Sequence, residues 1–197
     1  MKTFPLLLSA LMSLSSLALA QSGAPATQAP ESEAQKTFDG LKTLAGEWEG
    51  RLTTVPPVPE MTDAESLYHV SLRVTSRGHA IVHELQQAGT PLDPEKYDHP
   101  VTLLYLDADD RLALVHYCDA GNRPRMLGRA LPDGKSVEFA LEDISGGLRH
   151  GHMHHAVFTP VDADHHTEDW TYMLPGDKPI QAHFDLHRVS RTAQGSR

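Results

Sequence analysis

From Gly46 to Val189, apolar and polar residues alternate in short runs separated by turn-forming residues. The pattern predicts about ten β-strands with no helix among them. The strands are expected at 46–54, 66–75, 79–87, 100–106, 111–118, 125–131, 136–142, 151–160, 165–174 and 180–189. The breaks between them carry turn chemistry, in Ser76-Arg77-Gly78, Asp107 to Asp110, Pro132-Asp133-Gly134, Asp162-Ala163-Asp164 and Pro175-Gly176-Asp177. Residues 55–62 cannot form a central strand, because proline lacks the ladder donor. They and the proline-bearing stretch 88–99 are expected as long loops of the kind that rim a barrel mouth. Before the first strand, Phe38, Leu41 and Leu44 recur every third residue and Gly46 stands where a helix would stop, which predicts one short helix over one end. The fold class is therefore all-β: a ten-stranded antiparallel up-and-down barrel with one short N-terminal helix, wide enough to enclose a small molecule.

Alternation separates the two faces of the sheet. Tyr68, Val70, Leu72 and Val74 share one face, and His69, Ser71 and Arg73 the other. Trp170, Tyr172 and Leu174 oppose Asp169 and Thr171; Phe184, Leu186 and Arg188 oppose His183, Asp185 and His187. Treated as simple hairpins, the last two turns place His154 opposite Thr171 and Thr171 opposite His183 on the solvent side. The same register turns His155 inward beside Trp170 and Phe184.

The chain has thirteen histidines, and Gly151-His152-Met153-His154-His155 invites a metal reading. Zinc needs three or four ligands converging within about 2 Å of one point. His152 and His154 share a face, but His165 and His166 lie on the order of 16 Å further along at ~3.3 Å per residue. No metal site is predicted. The inward histidines are His116, His155 and, with Ile81 and Leu85, His83; Tyr105 and Tyr172 are candidate hydrogen-bond partners. No Gly-x-Ser-x-Gly elbow, glycine-rich phosphate loop or His-Glu-x-x-His is present. Cys118 and His116 are two apart on a strand, with parallel side chains ~6.6 Å apart at the backbone, so no thiol–imidazole nucleophile is predicted. General acid–base chemistry would need a carboxylate beside an inward histidine, for which Glu84 is the candidate. Arg125 follows a turn-like segment, where it can hold a ligand carboxylate or pair with Asp119.

The ends add a compartment. Lys2, the apolar run from Leu6 to Leu17 and Ala18-Leu19-Ala20 read as an export signal over 1–20. Residues 21–33 read as a flexible tether, 34–190 as the barrel domain and 191–197 as a tail. The formal charge is −9, and cleavage of the leader removes one more cation with Lys2. So acidic a domain has no basic footprint for nucleic acid, and nothing in the mature segment predicts membrane insertion. A single cysteine excludes an internal disulfide, so stability rests on the core.

Gly46-x-Trp48, with Arg188 near the end of the last strand, is similar to the lipocalin/calycin pattern, in which an arginine from the last strand packs over the base tryptophan. More specifically, the chain resembles a family of uncharacterised exported bacterial proteins built on a domain of unknown function. The resemblance is carried by Leu44, Gly46, Trp48 and Gly50, by His116-Tyr117-Cys118 with Asn122, Pro124, Arg125 and Met126, and by Gly151 to His154. It spans roughly 38–189 and implies a calycin-like fold without an established activity. The opening also resembles haem-binding, nitrobindin-like barrels, whose ligating histidine has its counterpart in His183; this chain departs from that opening at Arg51. The expectation is a periplasmic or secreted binding protein that holds a small, mostly apolar molecule. Its contacts would be His116, Tyr105, Arg125, Met126, His155, Trp170 and Tyr172, with Trp48 and Arg188 structural and no catalytic residue or resident cofactor. Haem, or catalysis by lumen histidines, is the alternative.

Overall fold

Inward apolar side chains at every second position let one continuous sheet roll up and bury a single face. The computed structural model, which describes residues 30–59, 61 and 66–189, has that form. β1 (Gly46–Val55), β2 (Tyr68–Thr75), β3 (Ala80–Gln87), β4 (Val101–Leu106) and β5 (Leu112–Tyr117) follow in chain order. β6 (Arg123–Ala130), β7 (Val137–Ser145), β8 (His152–Pro160), β9 (His165–Leu174) and β10 (Lys178–Arg188) continue them. Each strand is antiparallel to the next, and β1 also pairs with β10, which closes the barrel. The ten expected strands are all present, with ends shifted by a few residues. The leader expected at 1–20, most of the tether at 21–33 and the tail at 191–197 lie outside the described residues.

The helix α1 (Glu33–Lys42) starts where the tether was expected to end. Ser32 caps it, its Oγ accepting from the Gln35 N–H at 3.0 Å. Phe38, Leu41 and Leu44 are buried, and α1 packs against β4, β5 and β6 at one end of the barrel. Trp48 is fully buried there, and its Nε1–H donates to the Leu44 carbonyl at 2.8 Å. Arg188, directly opposite Trp48 in the β1–β10 register, lies over the indole at 4.0 Å. Its guanidinium also donates to the carbonyls of Ala45 at 2.9 Å and Thr43 at 3.4 Å, at the negative end of α1. One residue therefore joins the first turn of the barrel to the last strand.

The glycines flanking Trp48 have steric reasons. A Cβ on Gly46 would come within 2.2 Å of Arg188 Nη1, and one on Gly50 within 1.8 Å of the Asp185 carbonyl oxygen. Gly50 thus lets β1 approach the β10 backbone closely.

Two registers differ from expectation. The β9–β10 turn is tight, so Thr171 faces Gln181 and His183 faces Asp169. This slide by two residues keeps all four on the outer face. In β8–β9, His155 rather than His154 faces Thr171, and a bulge at His154 shifts the pairing so that Met153 faces Tyr172. The extra residue reverses the alternation. Met153 points into the lumen and His155 points out of the barrel, a correction to the inward placement expected for it.

Candidate functional site

The end closed by α1 is filled by Trp48, Val70, Leu72, Ile81, Leu104, Leu112, Phe139, Phe158 and Leu186. Toward the other end the lumen opens into a cavity of about 450 Å³. Its floor is His83, His116, Trp170 and Phe184; Leu85, Met153, Leu174, Ile180 and Ala182 form the walls. Asp98, Pro100, Cys118, Asp119 and Tyr172 line it toward the mouth, on the long loops and strand ends expected there.

Beneath the floor lies a buried charge cluster. Glu168 on β9 is 1% exposed, and both carboxylate oxygens accept from His83 Nε2–H, at 3.2 and 3.0 Å. Oε1 also accepts from His166 Nε2–H at 3.1 Å and Oε2 from Trp170 Nε1–H at 3.0 Å. Burial by itself pushes the Glu168 pKa up. The charge of His83 and the hydrogen bonds from His166 and His83 outweigh it and hold the carboxyl well below the usual carboxylate range. Glu168 is therefore an anion in the interior, and such an anion requires an imidazolium beside it. His166 is wedged edge-on against Trp48 with ring centroids 4.2 Å apart, which ties this cluster to the base of the barrel.

His116 is different in kind. Its Nδ1 shares a hydrogen bond with Thr102 Oγ1 at 2.8 Å, across the β4–β5 pair. Burial, then the charge of His83, lowers its pKa to about 4, so it is neutral at physiological pH. Its Nε2 is buried without a partner among the described residues, as are His83 Nδ1 and His166 Nδ1. Because Thr102 both donates and accepts, Nε2 presents either an N–H or a lone pair. A neutral imidazole with one unpartnered nitrogen is a hydrogen-bonding group waiting for a partner in an otherwise apolar floor.

At the mouth, Asp98, Cys118 and Asp119 each bring one polar atom within 4.8 Å of the others. Asp98 accepts from the Asp119 N–H at 3.2 Å. Its pKa is raised by burial and then by the Asp119 charge. Burial likewise raises the Cys118 thiol, helped by Asp98 and Asp119. The Tyr172 phenol is pushed up to about 12, by burial first and then by the same three neighbours. Its hydroxyl donates to the His150 carbonyl at 2.6 Å.

Of the expected contact residues, His116, Trp170 and Tyr172 come together around this cavity. Met126 points inward but is fully buried in the packed part of the barrel. Tyr105 lies on the outer face, between Ala80 and Ala113 and one residue from the buried Leu104. Arg125 is also outward, paired with Asp107 at 2.9 Å and with Glu142, so it is no anchor for a lumen ligand. His155 pairs outside with Glu138 at 3.0 Å. Glu84 faces solvent as well, and the carboxylate beside an inward histidine is Glu168. Glu168 and His166 were missed although alternation from Trp170 places both inside. His183, the counterpart of a haem ligand, hydrogen-bonds Asp169 at 2.7 Å on the outer face and offers no ligand to a group in the lumen. Also outside, His152 and His154 are 3.2 Å apart, and His165, Asp185 and His187 gather ligating atoms within 4.8 Å.

Fold and site together define a closed ten-stranded antiparallel barrel with a packed base and a histidine-floored lumen, compatible with the calycin-like fold that the sequence resembles. No family model and no curated protein matches the chain. Among solved structures, the crystal structure of Rv2717c from M. tuberculosis is similar, at 18% sequence identity and a TM-score of 0.56. The match covers 78% of this chain and 98% of that one, and at this identity it shows a shared fold alone. A DUF3598-family protein of unknown function from Nostoc punctiforme PCC 73102 aligns at 10% identity, over 76% of this chain and 48% of that one, with a TM-score of 0.39.

Proposed function

We propose that the protein is an exported binding protein that holds a small, mostly apolar molecule in the lumen of the barrel. The observation that carries this reading is the cavity of about 450 Å³ with apolar walls and two floor histidines, His83 and His116, that each keep a buried ring nitrogen unpartnered. Pockets of this size with few polar groups are the usual form of a small-molecule site, the polar groups fixing orientation. A ligand hydroxyl suits His116 best, since it completes either tautomer of the ring. Export rests on the leader read in residues 1–20. Native mass spectrometry of the mature protein from its own compartment tests the reading. A stoichiometric small-molecule adduct, lost when His116 and Trp170 are replaced, is expected. An apo mass from that compartment, with no change in Trp170 fluorescence across a panel of apolar alcohols, amines and acids, would refute it.

A second reading has one specific observation in its favour. His83 donates through Nε2 to the buried Glu168 while its Nδ1 has no partner among the described residues, the arrangement of a general acid oriented by a carboxylate. Turnover of a bound molecule that stops in His83→Gln, with binding retained, would make the protein an enzyme.

A further inference from the structure

The charges around the cavity are one-sided. Among the described residues, none that lines it is a lysine or arginine, and the two carboxylates that do, Asp98 and Asp119, are both toward the mouth. Neither forms an ion pair among the described residues. The loop cation Lys96 is engaged instead with Asp93, at 3.4 Å. The His99 ring lowers the Asp98 pKa, but by less than Asp119 raises it. Burial is the first cause of the raised pKa of Asp98, Cys118 and Tyr172, and the neighbouring acidic groups add to it in each case. A carboxylate ligand brought to this mouth would add a third anion to two uncompensated ones.

Aromatic faces stand beside the carboxylates. Tyr172 lines the cavity close enough to Asp98, Cys118 and Asp119 for their charges to act on its phenol, and Trp170 lies below it two residues along β9. Aromatic rings next to carboxylates attract organic ammonium groups through the ring quadrupole as well as by charge. Deeper in, the unpartnered Nε2 of His116, itself 4% exposed, shows that the lumen has an unmet hydrogen-bonding position of its own.

We propose that the occupant of the lumen is a cationic amphiphile: an alkyl- or arylammonium whose apolar body fills the cavity and whose charge rests at the mouth between Asp98 and Asp119, against the ring of Tyr172. This rests on the lumen-binding reading and names the ligand class for it. It also separates the barrel from fatty-acid carriers, which need a cation where this chain has two carboxylates.

The test is isothermal titration of the full mature chain with decylamine, decanol and decanoate, which share one apolar body, at neutral pH and low salt. Decylammonium is expected to bind about threefold more tightly than decanol, and decanoate more weakly than either, the scale set by two carboxylates that stay exposed to solvent at the mouth. In the Asp98→Asn/Asp119→Asn variant the three affinities should converge to within about twofold, while that for decanol is unchanged. Asparagine keeps an acceptor for the Asp119 N–H, and the decanol titration reports that the lumen is intact. Decanoate binding as tightly as decylamine, or an amine preference that survives in the double variant, would overturn the ligand class and leave the binding reading standing. If none of the three binds, both fall. Stoichiometric Zn²⁺ binding that is lost in Cys118→Ser, without amine selectivity, would make the mouth a metal site and overturn the proposal.

Discussion

Replacing Glu168 by glutamine keeps the shape of the side chain and removes its charge. Three N–H donors then converge on a group with one carbonyl oxygen, and the imidazolium of His83 loses its counter-ion in a site where the two side chains are 3% and 1% exposed. At that burial, water screens little of the interaction. Removing one partner of such a pair costs ~3–5 kcal/mol, chiefly because the remaining charge is left uncompensated. Against a total stability of about 5–15 kcal/mol, that is a large fraction. Urea denaturation followed by tryptophan fluorescence measures it, and both tryptophans report on the cluster: Trp170 donates to Glu168, and Trp48 packs on His166.

The pH dependence gives an independent reading. The folded pKa of Glu168 lies below its unfolded value, so its contribution is fully present above about pH 4.3 and is lost as pH falls through that range toward the folded pKa. Glu168→Gln should therefore be least stable relative to the parent near neutrality and approach it in acid. Adding His83→Gln removes the stranded cation, and the double variant should recover part of the loss. A single variant within about 1 kcal/mol of the parent, with the same acid slope, would refute the reading of Glu168 as a buried anion held by two imidazoles.

Three further outcomes follow from the same geometry. With a folded pKa of about 4, His116 favours folding above the ordinary histidine pKa of about 6.5, and roughly 3 kcal/mol of that is lost between those values; His116→Gln should lack this part of the acid slope in a urea-melt series. Gly50→Ala should prevent β1 from docking on β10 and cost ~3 kcal/mol or more, and Gly46→Ala should also destabilise, because Gly46 has a φ of +150° and a Cβ there would displace the Arg188 guanidinium, as thermal melts will show. Cys118, with its thiol pKa raised by burial and by its acidic neighbours, should react slowly with iodoacetamide at neutral pH, and a filled lumen should slow it further; rapid alkylation counted by mass spectrometry would contradict that environment.

The barrel was legible in the sequence because its evidence repeats. Ten alternating runs and the turn residues between them each point to the same architecture, and an error in one strand does not change the others. Trp48 and Arg188 were legible because the Gly46-x-Trp48 opening and an inward arginine late in the last strand resemble one pattern, and the absence of a side chain at Gly46 leaves room for the guanidinium over the indole. The candidate site was not, since it depends on the parity of single strands. The β8–β9 register is one residue off that of a simple hairpin, which sets Ala156 against Trp170 and turns His155 outward, and the bulge at His154 then brings Met153 to the lumen side with no turn residue to mark it. Arg125 and Tyr105 failed for another reason: each looked like a ligand contact by residue type, but each is one position from a buried neighbour, Met126 or Leu104, that takes the lumen side.

Glu168 is the instructive miss. A carboxylate two residues from an inward tryptophan, with a histidine two further on, is inward by the same rule that placed the tryptophan. Reading acidic residues as solvent-facing hid it. A buried anion with two histidines is costly unless each partner is held in place, and here the partners come from β3 and β9, on opposite sides of the closed sheet. The cluster lies where the packed base gives way to the open lumen, directly under the cavity floor. It engages His83 next to a neutral His116, so the floor offers a ligand one imidazole already held by Glu168 and one neutral ring that is not. That asymmetry, with carboxylates at the opposite end of the cavity, gives the site a direction: the uncharged end of an occupant goes down to His116 and its charged end stays at the mouth.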